Sequence, residues 1–105
     1  WFGGDTRVAY LYLKDASATE SFRARLESQN ALFQTVTAKD AIEANWFGPV
    51  GELALQRMPE LILLARSNFT LFHSVFSKKR SIEMTAHHGG LSSSELRIPL
   101  IRVGV

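Results

Sequence analysis

Leu61-Ile62-Leu63-Leu64-Ala65 is an unbroken apolar run, set between Pro59-Glu60 and the turn residues Ser67-Asn68. A short run with no polar face suits a central strand that is covered on both sides. Working outward, the chain offers it partners. Residues 6–13 alternate, with Val8, Tyr10 and Tyr12 pointing one way and Ala9, Leu11 and Leu13 the other. This is a second strand with both faces largely covered. Residues 32–36 form a short strand candidate. Downstream, residues 70–76 alternate again and are expected to pair with the central run as a hairpin through Ser67-Asn68. Residues 97–103 read as a last strand, which Pro99 confines to a sheet edge or a bulge.

Helix signals fall between these strands. Ser17 and Glu20 have the capping-box spacing, and Phe22 and Leu26 share a face behind them. That helix is expected to stop near Asn30. Thr37 caps a second helix with Asp40 at its third position, and Ala38, Ala41, Ile42 and Trp46 make its apolar stripe. Phe47-Gly48-Pro49 breaks it. Residues 52–58 hold one or two helical turns, ended by Pro59. Ser92 and Glu95 repeat the capping-box spacing before a final helical turn. The order β-α-β-α-β-β-α-β predicts an α+β fold: a small mixed or antiparallel sheet with two or three helices on one face.

Composition narrows the function classes. The 105 residues make one domain at most. With 46% hydrophobic and 21% charged residues, the chain is too apolar to be disordered. Twelve basic against ten acidic residues leave +2, which neither requires nor excludes a nucleic-acid partner. The absence of cysteine excludes disulfides and thiolate metal sites and leaves the compartment open. No apolar run approaches the roughly 18 residues of a membrane span, so no membrane partner is expected. The chain opens on Trp1 and closes on Ile101-Arg102-Val103-Gly104-Val105, like a strand cut just after it forms. The expectation is a piece of a longer protein.

The stretch richest in chemistry is Ala86-His87-His88-Gly89-Gly90-Leu91-Ser92-Ser93-Ser94-Glu95. Two glycines after a histidine let the backbone turn sharply and open the imidazole to a metal or phosphate. The competing reading is a polar turn before a capped helix. His73 sits in the expected hairpin strand and reads as a half-buried structural histidine. Lys78-Lys79-Arg80 could touch phosphates, but no aromatic interleaves these charges as single-strand binders require, so a solvated loop is expected. Trp46-Phe47-Gly48-Pro49 is either a recognition surface or a local core that pins the turn. Ser92 to Ser94 lack the strand–turn–helix elbow of a nucleophile, and no phosphate-binding loop with lysine is present. A hydrolytic metal site needs at least three protein ligands, and the chain by itself offers one plausible ligand.

The segment His88-Gly89-Gly90-Leu91-Ser92-Ser93-Ser94-Glu95, followed by Ile98-Pro99-Leu100-Ile101, resembles the C-terminal signature of the alkaline phosphatase superfamily, in particular its type I phosphodiesterase/nucleotide pyrophosphatase family. There a late metal-ligand histidine precedes glycine, then Leu-[Ser/Thr]-x-x-Glu and an apolar strand containing proline. Gly4-Asp5-Thr6-Arg7 resembles the family's Gly-Glu-x-Arg, with aspartate for glutamate. Ala41-Ile42-Glu43-Ala44 with Phe47-Gly48-Pro49 resembles a further stretch, in which Asn45 stands where glycine is usual. Arg57 followed by a break before Leu61 resembles a third, with Pro59-Glu60 in place of Gly-Asp. The resemblance implies the C-terminal portion of an enzyme that hydrolyses phosphodiester or pyrophosphate bonds, with a nucleotide or other phosphodiester as substrate. It implies two Zn²⁺ or similar divalent ions in the full-length parent, which stabilise a Thr or Ser nucleophile and the phosphoryl oxygens. No catalytic residue lies in this chain, because the nucleophile is upstream. His88 is the one metal ligand carried over, and His87 falls on a variable position. Residues 1–82 would be an inserted or C-terminal subdomain, and residues 83–105 the ligand loop and final strand of the catalytic domain. The partner would be the remainder of the same polypeptide. The isolated chain is expected to be inactive, to hold no metal, and to leave its last strand exposed or self-associating. The alternative is a free-standing α+β module for ligand binding or self-association.

Overall fold

A computed structural model of the chain describes residues 1–29, 32–75 and 77–104. Two strands come first, β1 (Phe2–Gly4) and β2 (Val8–Leu11). A 3-10 turn (Ala16–Ala18) leads into α1 (Thr19–Gln29), followed by β3 (Phe33–Thr37), α2 (Ala38–Glu43) and α3 (Glu52–Leu55). Then come β4 (Leu61–Ala65), α4 (Lys79–Ile82) and α5 (Ser93–Leu96). The fold is α+β, built on one antiparallel sheet with strand order β1-β2-β4-β3.

All five residues of β4 are buried, as a central strand requires. Val8 pairs with Leu64 and Tyr10 with Ile62 on one side, and Val36 pairs with Ile62 on the other. Side chains alternate along a strand, so Val8, Tyr10, Val36, Ile62 and Leu64 share one face. Ala41 of α2 packs into that cluster. Leu61 and Ile62 are the largest fully buried side chains, and each contributes roughly 1.5–3 kcal/mol. The opposite face carries Ala9, Leu61, Leu63 and Thr35, all buried. Here α1 is tied to β3 by polar contacts: Thr35 Oγ1 donates to Glu27, and Arg23 Nε reaches Glu27 at 3.1 Å and Thr35 at 3.3 Å. These bonds hold the Glu27 carboxyl below its ordinary pKa, the Thr35 hydroxyl contributing most. Thus α1 and α2 meet opposite sides of β3, which corrects the expectation of helices on one face, because β3 presents Val36 to one side and Thr35 to the other.

Capping follows the sequence in two places and departs from it in one. Thr37 Oγ1 accepts from Asp40 N at 3.0 Å, as the spacing predicts. The Ser92–Glu95 capping box is complete. At α1, however, Ser17 does not cap. Its backbone N–H and its hydroxyl both donate to Asp15 Oδ1, at 2.9 and 2.6 Å. A carboxylate two residues upstream is the stronger acceptor, so the helical segment starts earlier through a 3-10 turn. The expected stop near Asn30 lies outside the described residues.

Two strand expectations are corrected, and one strand was not expected. That strand is β1, joined to β2 by a tight turn in which Asp5 N donates to Val8 O at 2.8 Å. Gly4 there has φ 85°, and a Cβ would stand 2.5 Å from Val8 O, so only glycine fits. Residues 70–75 form no strand, and Phe76 lies outside the described residues. Both edges of β4 are already taken by β2 and β3, so the expected hairpin with β4 cannot form. Leu71 N instead donates to Thr6 O at 2.7 Å. Residues 97–104 are likewise in no strand. Ile98, Leu100, Ile101 and Val103 lie 79–93% exposed.

Candidate functional site

The tight turn between β1 and β2 faces the His87–Ser92 loop. The two adjacent histidines take opposite roles there. The His87 ring is half-buried, edge-on to Phe72 with centroids 5.5 Å apart. Its Nε2 lies 3.2 Å from Met84 O and its Nδ1 3.0 Å from Thr6 Oγ1. A carbonyl only accepts, so in the neutral ring Nε2 carries the proton and Nδ1 accepts from the threonine hydroxyl. His88 is turned outward, with its side chain 93% exposed and its Nδ1 4.0 Å from Asp5 Oδ2. The Asp5 carboxylate is oriented from its other oxygen, which accepts from Thr6 N at 2.6 Å.

Behind the histidines the loop is tied to the sheet by an ion pair. Arg7 is 5% exposed. Its Nε and Nη2 donate to the two Glu95 oxygens, each at 2.9 Å, and its Nη1 donates to Phe69 O. This two-pronged geometry is the strong form of the arginine–carboxylate contact. Glu95 also accepts from Gly90 N at 3.1 Å, from Ser92 N at 3.3 Å and from the Ser92 hydroxyl. Those donors hold its carboxyl down at about 2, the Arg7 hydrogen bonds contributing most and Ser92 next. The same contact raises the Arg7 pKa. Gly90 is buried, and a Cβ on it would lie 2.3 Å from the carboxylate oxygens. Gly89 has φ 98°, a conformation that favours glycine.

The Arg7–Glu95 pair is the part of the site that motif reading missed. Glu95 was legible as the end of a capping box, and Arg7 only through the family resemblance. The one local signal was a lone arginine heading a strand that is otherwise apolar.

The other sequence candidates do not join this site. His73 stands against Phe2, with ring centroids 5.7 Å apart, and its Nδ1 accepts from Val75 N at 3.1 Å. Lys78, Lys79 and Arg80 are exposed, but the loop expected there is partly helical, since residues 79–82 form α4, and Lys79 lies 3.6 Å from Glu83 at that helix's C-terminal end. Trp46 and Phe47 do not form a closed local core. They are 42% and 40% exposed and line an open cleft of about 950 Å³ with Asp5, Tyr10, Gly89 and Leu91. Among the described residues, no three His, Asp or Glu side chains come together as a metal site. His88 can therefore offer a single nitrogen, and the three-ligand set of a hydrolytic metal centre is not met within them. No described helix is long and apolar enough to cross a membrane. The chain matches no protein-family model, no curated protein and no solved structure.

Proposed function

We propose that this chain is the C-terminal portion of a metal-dependent phosphodiesterase or nucleotide pyrophosphatase. His88 supplies one ligand to a divalent metal centre, with Zn²⁺ as the ion to test, and polypeptide outside this sequence supplies the others. The observation that carries the reading is the outward His88 ring, 93% exposed on a loop anchored from behind, while its neighbour His87 is turned in and bonded on both nitrogens. A ligand meant for a centre completed elsewhere has to be presented in this way. Backbone geometry gives further support. Asn45, which stands where the resembling family has glycine, has φ 57°, a left-handed conformation that asparagine tolerates and glycine adopts freely. Gly89 and Gly90 of the signature are both positions where a side chain would strain or collide.

The test is hydrolysis of an activated phosphodiester by the full-length gene product with Zn²⁺. His88→Ala should lower kcat/KM by at least about 100-fold, because it removes a direct ligand rather than a supporting group. Undiminished hydrolysis would remove His88 from the metal centre.

A second reading is favoured by one observation, the exposed apolar segment 97–104. In it the chain is a free-standing α+β module that associates with a second copy through that segment. Zn²⁺-independent self-association, with no hydrolysis by the full-length product, would select it.

A further inference from the structure

We infer that the Asp5-Thr6-Arg7 turn is the positioning element of the His88 loop, with Arg7 and Glu95 as its positioning residues. The inference rests on the role given to His88 above. Three consecutive side chains of one turn face the loop and the helical turn that ends it: Asp5 lies 4.0 Å from His88, Thr6 bonds His87, and Arg7 pairs with Glu95 of α5. Along a strand, neighbouring side chains would point to opposite faces. The turn between β1 and β2 is what lets all three face the same way, and Gly4, with φ 85°, makes that turn possible.

Each contact has a separate effect. Thr6 holds the His87 ring inward, so the next residue has to leave the loop on the outer side. Asp5 places a carboxylate 4.0 Å from Nδ1 of His88, near the ring on the turn side. Arg7 and Glu95 fix the loop's exit. Glu95 gathers the guanidinium, the Gly90 and Ser92 amides and the Ser92 hydroxyl on one carboxylate. Arg7 carries the anchor on to the 66–70 turn through Phe69 O. A buried ion pair is a poor source of net stability, because desolvation offsets most of the attraction. What it supplies is a single permitted place for the loop, and Gly90 is needed for the carboxylate to come that close.

The experiment pairs amide hydrogen exchange on the 105-residue chain with steady-state kinetics on the full-length gene product. It uses Glu95→Gln and, as a milder change that keeps the charge and loses the planar fork, Arg7→Lys. In both variants, exchange at Gly90 and Ser92 should accelerate by about 10-fold or more, and by clearly more than at the β4 amides. In the full-length enzyme with Zn²⁺, kcat should fall by about 10–100-fold with little change in KM. Unchanged exchange at Gly90 would overturn the inference. So would an equal acceleration throughout β4, which would mark a merely structural ion pair. An active enzyme whose kcat ignores both substitutions would overturn it as well. Local acceleration at Gly90 together with a full-length product that never hydrolyses phosphodiesters would keep the clamp and remove the phosphodiesterase reading.

Discussion

At Glu95 a carboxylate accepts from a guanidinium, a hydroxyl and two backbone amides, and its pKa falls to about 2 against an ordinary value of 4.5. The sign of the resulting pH dependence follows from that depression. Folding favours the ionised form, so the contribution is complete above the unfolded value. It is lost as pH falls from about 4.5 towards about 2. Thermal melting of the chain between pH 6 and pH 2 should therefore show stability dropping through that window. Glu95→Gln should start lower and show a shallower drop. Parallel curves for the two proteins would mean that other carboxylates set the acid limit. Asp15 and Glu27 are also depressed, but they sit at the surface, where solvent screens their bonds. Arg7 and Glu95 are 88 residues apart in sequence. No local pattern could pair them, which is why the polar centre of the site was only half legible before the fold was known.

Elements whose signals are local were mostly read correctly, although Ser17 does not cap and residues 79–82, expected in a loop, form α4. The apolar run of β4 needs no partner to identify it as central. Thr37 and Ser92 cap because the acceptor and the amide it bonds lie three residues apart. Strand identity at 70–76 and 97–103 depends instead on a free edge beside the sheet, and period-two alternation says nothing of that. The order β1-β2-β4-β3 uses both edges of β4 before residue 70 can compete. The hairpin between β1 and β2 was hidden for the converse reason: Phe2-Gly3-Gly4 is too short and too rich in glycine to look like a strand, yet Phe2 pairs with Leu11 and Gly4 with Ala9. Removing a cap isolates the local kind of signal. Thr37→Ala takes away the acceptor for Asp40 N, and it should cost about 1 kcal/mol in denaturant unfolding. Thr37→Ser, which keeps the hydroxyl, should cost far less. Equal losses in the two variants would assign the effect to the methyl group of Thr37.

The molecule is larger in outline than its length requires. Its radius of gyration is 16.0 Å, against about 13 Å for a compact chain of this size. Two features account for the excess. The cleft of about 950 Å³ beside Trp46 and Phe47 leaves part of one sheet face open. The 97–104 segment lies outside the sheet with Ile98, Leu100, Ile101 and Val103 exposed. Exposed apolar residues on a segment that lies in no strand can serve as a template for strand addition. Within this chain they contribute little to stability, because they cover nothing. Truncation after Arg97 should therefore shift the melting temperature by no more than about 3 °C. The same truncation should abolish any self-association of the 105-residue chain seen by sedimentation velocity. Under the proposed function, the same truncation in the full-length product should lower solubility and Zn²⁺-dependent hydrolysis together, because that reading gives the segment a sheet to complete. A fall in melting temperature of ten degrees or more in the isolated chain would show that the segment belongs to this domain's own core, and the case for a missing partner would go with it.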